Sequence, residues 1–569
     1  MVERPTYWSD YWAKQRISRR RVLATSATVG TAALIMAACG DDDSSSKNGT
    51  PQSNVGGTPG KAPKRGGTLT VRVTNDPPNW SPFTASTYTA AFTNNVYNKL
   101  IRRKVAPGID PAEVVLEADL AEKMPESPDA LTYIFTLRDG VKFQSVAPVN
   151  GRELTADDVK MAIEAYRSDT RSGMKADYAA IDSVETVDAR TIKVKLKEPF
   201  VPLLPLSAGH YGWRIFPKEL MDGDDLKSKA VGTGPYILDD YQPSNRATYR
   251  RNPDYFKTGL PYFDNLVLAV IPQDATAIAA FQAGQVTTLG QIDCTVAQQI
   301  RSQKAGARFQ QIYSAFPGGY IAMNTSKPPF SDVRVRRALS MAFNRKAESD
   351  ALECGEGKPD QLIPTGAYKK ALPIEQLGDA AKYWQYDPAE ARRLLTEAGF
   401  PGGLDVPLNY TPQYGQLYMN SAERAISDFA AAGIRVKPTS IQYNEWIASM
   451  YRPPFNFEGM LWGPSRYYGD VDPFMWYWLH PDPKQGISNQ SRVNDPSLLP
   501  LLQKQRQMSN EPERLKLIGE IQKIVADQQY YVGRTTGNAY SFWESWLEGW
   551  SAYLGYDLPQ VESAWDGRL

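Results

Sequence analysis

The stretch that most constrains this chain is residues 18–43, SRRRVLATSATVGTAALIMAACGDDD. It opens on three consecutive arginines, Arg19, Arg20 and Arg21, and continues through 17 uncharged residues from Val22 to Ala38. It closes on Ala37-Ala38-Cys39. A basic segment, a short apolar segment and small residues at a cleavage point are the parts of an export signal. The apolar run is at the short end for a spanning helix, which needs ~20 residues. Its Ala, Thr and Gly also make it only weakly apolar. Residues 1–39 are therefore read as an export signal, with a short membrane anchor as the alternative. On either reading the rest of the chain is delivered outside the cytoplasm and held near a membrane.

Two details sharpen this reading. Ser18-Arg19-Arg20-Arg21-Val22-Leu23 resembles the twin-arginine export pattern, with Val22 where Phe is usual. Met36-Ala37-Ala38-Cys39 resembles a lipobox, in which the cysteine, here Cys39, is lipidated and becomes the mature N-terminus. Residues 40–66 are Asp, Ser, Gly, Pro, Asn and Lys with almost no large apolar side chain, so they read as a flexible tether.

The whole chain has 569 residues, too many for one core. Its 64 basic and 63 acidic side chains become 58 and 61 once residues 1–38, with six basic and two acidic groups, are removed. Nucleic-acid binding needs a clustered basic excess, and none exists. Past the signal no uncharged apolar run approaches spanning length. Cys294 and Cys354 are far apart and fit no metal or redox motif, so they are expected as two separate buried thiols, although pairing in an oxidising compartment is open to them. The 13 Trp and 31 Tyr suit both core and cleft walls.

Enzyme chemistry has little support. The chain carries two histidines, His210 and His480, and no G-x-S-x-G elbow, which leaves a hydrolytic triad without parts. Metal motifs and a phosphate-cradling Gly-lysine loop are likewise missing from the sequence, so no cofactor or metal is expected. His480 reads as a surface or cap residue.

Local signals mark the ordered part. Leu69, Val71 and Val73 alternate with polar residues, as in a half-buried strand. Residues 88–100 read as a helix, and 131–137 with 141–143 as a hairpin about Asp139-Gly140. Thr155 with Asp158 forms an acidic capping box for a helix to Tyr166. Asp332 and Asp387-Pro388 start further helices, the second ending at Gly399.

Several phrases then occur in one order. Glu117-Ala118-Asp119-Leu120-Ala121-Glu122-Lys123 precedes Tyr133 to Phe143 and Leu154-Thr155-Ala156-Asp157-Asp158-Val159. Val231-Gly232-Thr233-Gly234-Pro235-Tyr236 and Arg251-Asn252-Pro253-Asp254-Tyr255-Phe256 follow, then NTSKPPFSDVRVRRALSMAFNR at 324–345 and YDPAEARRLLTEAGF at 386–400. Together these resemble the family 5 extracellular solute-binding proteins over residues 67–569. The resemblance implies an α/β, two-lobe, periplasmic-binding-protein-like fold of type II, with mixed sheets flanked by helices and a hinge between lobes. Lobe I would span 67–270 with an extra subdomain at about 84–205, lobe II 271–535, and 536–569 would return to lobe I. Hinges are expected near 270–273 and 533–539.

The resemblance also implies a function and a site. A lipid-tethered monomer at the outer face of the cytoplasmic membrane, or in the periplasm, would capture a small solute, peptide first, and pass it to the permease and ATPase subunits of an ABC importer. Oligosaccharides and metal chelates are the next candidate solutes, and a secreted hydrolase of peptides or glycans is the alternative class. The most site-like segment is 460–480, MLWGPSRYYGDVDPFMWYWLH. Peptide-binding members carry there a W-x-x-D-x-x-D-P loop whose aspartate pairs with the ligand ammonium. Asp472-Pro473 matches its end, while Asp470 stands two residues before Asp472 rather than three. The candidate ligand-binding residues are Trp462, Tyr467, Tyr468, Asp470 and Asp472, with Ser86 and Tyr88 from lobe I. Phe474, Trp476, Tyr477 and Trp478 are expected in the core.

Overall fold

The computed structural model describes residues 53–54 and 62–569, apart from 222–224, 314–318, 365–367, 369, 415, 465–467 and 556–557. The export signal, the lipobox with Cys39, most of the tether and Tyr467 lie outside the described residues.

Two sheets carry the fold. The first has eight strands, in the spatial order Ser53–Asn54, Arg308–Tyr313, Asn538–Trp543, Thr288–Ile292, Thr68–Val73, Asn265–Val270, Arg246–Arg251 and Tyr236–Gln242. Thr68–Val73 is the alternating strand read from the sequence, with Leu69, Val71 and Val73 buried and the residues between them more exposed. It pairs parallel to Asn265–Val270 and to Thr288–Ile292. The second sheet has five strands, in the order Ile434–Ser440, Leu404–Tyr410, Met460–Pro464, Gly319–Met323 and Tyr531–Gly533. A smaller four-stranded sheet, Glu126–Asp129, Thr132–Thr136, Thr191–Leu196 and Ile181–Thr186, forms the subdomain of lobe I with the helix Ala156–Ser168.

The lobe boundary differs from the expected one. After Val270 the chain does not leave lobe I: the Ile271 N–H donates to the Val73 carbonyl, and the helix Asp274–Gln282 returns the chain to the same sheet as Thr288–Ile292. Arg308–Tyr313 then pairs with Asn538–Trp543 in that sheet. Residues 271–313 are thus part of lobe I, because their strands find partners at the two ends of the chain. The first passage between sheets runs from Tyr313 to Gly319, and the second from Gly533 to Asn538. Two residues of the expected tether, Ser53–Asn54, pair with Phe309 and Gln310 at the sheet edge.

Most helix starts follow their local chemistry. The Asp158 carboxylate accepts from the Thr155 N–H at 3.1 Å, and Asp387 accepts from the N–H groups of Ala389 and Glu390. Gly399 sits at φ +95°, a backbone shape that only glycine adopts freely. The hairpin expected about Gly140 does not form. Thr132–Thr136 pairs instead with Glu126–Asp129 and Thr191–Leu196, and Val141 and Phe143 turn into the core. The helix expected over 88–100 is confined to Thr87–Thr93.

The cysteines also depart from expectation. Cys294 and Cys354 are joined in a disulfide, because the start of one helix and the end of another meet with their Cα atoms 6.2 Å apart. Among the described residues no helix is long and apolar enough to cross a membrane.

Candidate functional site

In open α/β sheets, ligands bind beyond the carboxyl ends of parallel strands. Lobe II presents three such ends, at Tyr410, Ser440 and Pro464. Lobe I presents the end of Thr68–Val73 and the loop after it. The lobes also touch away from the two passages. The Val201 N–H donates to the Arg506 carbonyl at 2.8 Å, and Gln507 Nε2 donates to Glu198 at 2.8 Å. The Arg506 guanidinium lies between rings from the two lobes, 4.5 Å from the centroid of Phe200 and 3.8 Å from that of Trp476. The tip of the subdomain and the helix Leu498–Gln507 thus form a seam between the lobes.

Asp177 lies on that seam. It is half-buried, and its carboxyl is pushed up to about 7 by loss of water around it. The Arg506 and Arg452 guanidinia oppose that push, and the Asp472 charge adds to it.

The residues singled out in the sequence do not form one binding surface. Trp462 is fully buried on Met460–Pro464. Its ring lies under the Arg534 guanidinium at 4.3 Å and against Phe343 at 6.3 Å, and Tyr418 donates its hydroxyl to the Trp462 carbonyl. It offers a ligand no surface, so the expectation of an aromatic wall there is corrected. Tyr468 packs its ring 4.8 Å from Phe474 and 5.9 Å from Tyr477.

Asp470 is not an open carboxylate either. Arg514 reaches it through two bonds, Nη2 to Oδ1 at 2.6 Å and Nη1 to Oδ2 at 3.1 Å, while the Asp472 N–H donates to Oδ1 at 2.8 Å. Asp472 is buried at the first turn of the helix Asp472–Leu479, where Gln505 donates to it and Arg506 Nε lies 3.1 Å away. Burial pushes its carboxyl up, and the Asp470 charge adds to that, against Arg506. Both aspartates therefore fasten this helix to Leu498–Gln507 and Glu511–Gln528, and the ammonium role suggested for Asp470 is corrected. Phe474, Trp476, Tyr477 and Trp478 are all in the core, as expected. His480 is buried, not at the surface, and caps the same helix.

From lobe I, Ser86 is half-exposed and caps the helix Thr87–Thr93, accepting weakly from the Thr89 N–H at 3.5 Å. The Tyr88 hydroxyl accepts from Asn75 Nδ2 at 2.8 Å, which places Tyr88 beside the loop leaving Val73. Neighbouring groups on that loop are already bonded: Asp76 to Tyr241 and Ser244, Asn79 to Thr84 and Ser81.

Sequence reading missed the rim of lobe II. Tyr414 follows Leu404–Tyr410, and Tyr443 follows Ile434–Ser440 and is 38% exposed. Their rings meet at 5.9 Å, and Tyr414 meets Tyr418 at 5.2 Å. Thr411, directly after Leu404–Tyr410, is fully buried, and its hydroxyl has no partner among the described residues. The signal available was position: each tyrosine lies three or four residues past the end of a parallel strand. Among the described residues no group of three or more His, Cys, Asp or Glu is placed to hold a metal ion.

Comparison with known proteins agrees with this architecture. The family model of bacterial extracellular solute-binding proteins, family 5 Middle, matches residues 115–486. Di/tripeptide-binding protein 2 of Pseudomonas aeruginosa is 31% identical over 486 residues, covering 78% of this chain and 86% of that protein. Heme-binding protein A of Haemophilus influenzae is 29% identical over 540 residues, covering 90% of this chain and 93% of that protein. In fold the chain is similar to the oligopeptide-binding protein AppA from Bacillus subtilis, solved with a nonapeptide. The TM-score is 0.74 at 20% identity, over 89% of this chain and 100% of that one. The chain belongs to family 5 of the bacterial extracellular solute-binding proteins.

Proposed function

We propose that this protein captures a short peptide between its lobes and delivers it to the permease and ATPase subunits of an ABC importer. The observation that supports the reading is a pair of lobes joined by two chain passages and touching again at Phe200, Val201 and Arg506. Capture by such a molecule works through preference: the ligand binds the closed form better and shifts the population toward it. Peptide is favoured over other solutes by likeness to Di/tripeptide-binding protein 2 of Pseudomonas aeruginosa. Because Asp470 is taken by Arg514, we place recognition on main-chain hydrogen bonds and on the tyrosines of the rim, Tyr414 and Tyr443, with Tyr88 from lobe I.

The same reading gives the N-terminus its role. Cys39, lipidated after export through the twin-arginine route, would hold a monomer at the outer face of the membrane, and the following residues would act as its tether. No catalytic step is proposed. Mass spectrometry of solutes that co-purify with the protein, followed by thermal-shift titration with di- and tripeptides, tests the ligand. Recovery of peptides with a matching rise in melting temperature is expected. A bound sugar or chelate, with no response to peptides, would overturn the peptide assignment.

A further inference from the structure

The disulfide does not staple one lobe internally. Cys294 begins the helix Cys294–Gln303, which packs on the first sheet with Phe281, Leu289, Phe309 and Phe542. Cys354 follows the helix Arg345–Leu352, which belongs to lobe II: Glu348 there accepts from Ser421, and Arg345 Nε donates to the Gly533 carbonyl at 2.8 Å. The bridge therefore crosses from one lobe to the other. It also closes a covalent ring around the first passage, since Tyr313 and Gly319 lie between the two cysteines.

The loop that carries Cys354 is fastened at several further points. Oε2 of Glu356 accepts from Gln311 Nε2 at 2.9 Å, from Asn538 Nδ2 at 3.0 Å and from the Tyr540 hydroxyl at 2.7 Å. Gln311 and Asn538 flank the first and the second passage respectively. Lys358–Pro359 then pairs antiparallel with Thr535–Thr536, inside the second passage, and the Asp360 N–H donates to the Arg534 carbonyl at 2.7 Å. One carboxylate thus gathers donors from both strands that lead into the hinge, and the loop's backbone is laced to the second crossing. Lys358–Pro359 and Thr535–Thr536 form a two-stranded sheet of their own, separate from both large sheets.

We propose that residues 353–360, fastened by the Cys294–Cys354 bridge, form a third connection between the lobes that limits how far they open, and that reduction of this bridge releases the limit. Two chain passages alone leave a hinge free to bend and to twist. A third link beside them removes the twist and stops the bend early, which favours the closed, ligand-holding form. Release is chemically open to a dithiol, because Cys354 is exposed while Cys294 is buried. A thiolate attacks Sγ of Cys354 and Cys294 leaves as a thiolate. The second thiol of the dithiol then resolves the mixed disulfide, so that two protein thiols form and the dithiol is oxidised.

The inference rests on the lobes moving during solute capture, but not on which solute is captured. Its test is small-angle X-ray scattering of the purified full-length chain without added ligand, oxidised and after treatment with tris(2-carboxyethyl)phosphine. A domain pair of this size has a radius of gyration of roughly 24 Å. Reduction is expected to raise it by roughly 1 Å or more while the far-UV circular dichroism stays unchanged. Cys294→Ser/Cys354→Ser should reproduce the reduced value, and Glu356→Ala should add to it in the reduced protein but not in the oxidised one. Identical scattering before and after reduction would overturn the proposal. So would loss of the dichroism on reduction, which would make the bridge a determinant of the fold and not of its opening. Failure to find a peptide ligand would leave the scattering difference standing, so the two readings fail separately.

Discussion

Replacing Asp470 with alanine separates a structural role from a ligand role. In the protein the Asp470 and Arg514 side chains are 12% and 10% exposed and share two hydrogen bonds. Among the described residues Arg514 otherwise donates to Gln505, through its carbonyl and side-chain oxygens at 3.1–3.2 Å. The substitution leaves a nearly buried guanidinium facing neutral acceptors and removes the acceptor of the Asp472 N–H. Breaking a buried pair from one side costs about 3–5 kcal/mol, or a factor of ~10²–10³ or more in the unfolding equilibrium. Urea unfolding followed by tryptophan fluorescence reads this directly, since Trp476 and Trp478 lie in the same core. The double variant Asp470→Ala/Arg514→Leu should recover a large part of the loss, because it removes the orphaned charge. Affinity for an ammonium-bearing di- or tripeptide, measured calorimetrically on the folded protein, should change less than about twofold. The reasoning is refuted if Asp470→Ala unfolds like the parent while that affinity drops tenfold, a change of about 1.4 kcal/mol in binding.

Three further outcomes are expected. Asp177 holds its proton to about pH 7 in the closed seam, against an ordinary value near 3.8 when solvated by opening, so closure takes up a proton between those limits. Ligand affinity should therefore weaken as pH rises from about 4 toward 7 and level off above it, and Asp177→Asn should flatten that profile; an unchanged slope in the variant counts against the assignment. Asp119 behaves in the opposite sense: burial opposes its charge, but Lys257 at 2.7 Å and Arg102 hold it at about 2. Its contribution of about 2 kcal/mol is present above pH ~4 and lost as pH falls through 2, so Asp119→Asn should destabilise at pH 7 and show a shallower acid limb in urea titrations. Gly463→Ala would place its Cβ 2.3 Å from the Tyr320 ring, which is itself held 4.2 Å from Trp478. A loss of about 1–3 kcal/mol is expected by chemical denaturation, and wild-type stability would show that the Tyr320 ring can move.

How much of this was legible in the sequence depended on how far the deciding partner lay. Asp387, Asp332 and the Thr155–Asp158 pair start helices with groups within three positions, and all three readings agree with the structure. The hairpin about Gly140 failed because Thr132–Thr136 is completed by Thr191–Leu196, a partner that no local pattern reveals. The lobe boundary failed for the same reason on a larger scale, since Thr288–Ile292 joins Thr68–Val73 and Asn538–Trp543. The disulfide is the extreme case: a spacing rule assigns no pairing to Cys294 and Cys354, and only the meeting of two helix ends does.

The candidate site shows why family likeness and site assignment come apart. The aromatic cluster at 460–480 was visible as composition, but strand direction decides what an aromatic residue does, and on Met460–Pro464 it turns Trp462 under Arg534. The spacing of Asp470 and Asp472 is decisive in the same way. With Asp470 two residues ahead, Oδ1 folds back onto the Asp472 N–H, as an aspartate does at a turn. That turn presents both carboxylate oxygens to Arg514 across 44 positions of chain. The two-residue spacing and the internal pairing are therefore one structural fact: in this chain Asp470 and Asp472 fasten the lobe II helices. With Asp470 and Asp472 both paired inside lobe II, the proposed recognition rests on the strand-end tyrosines Tyr414 and Tyr443.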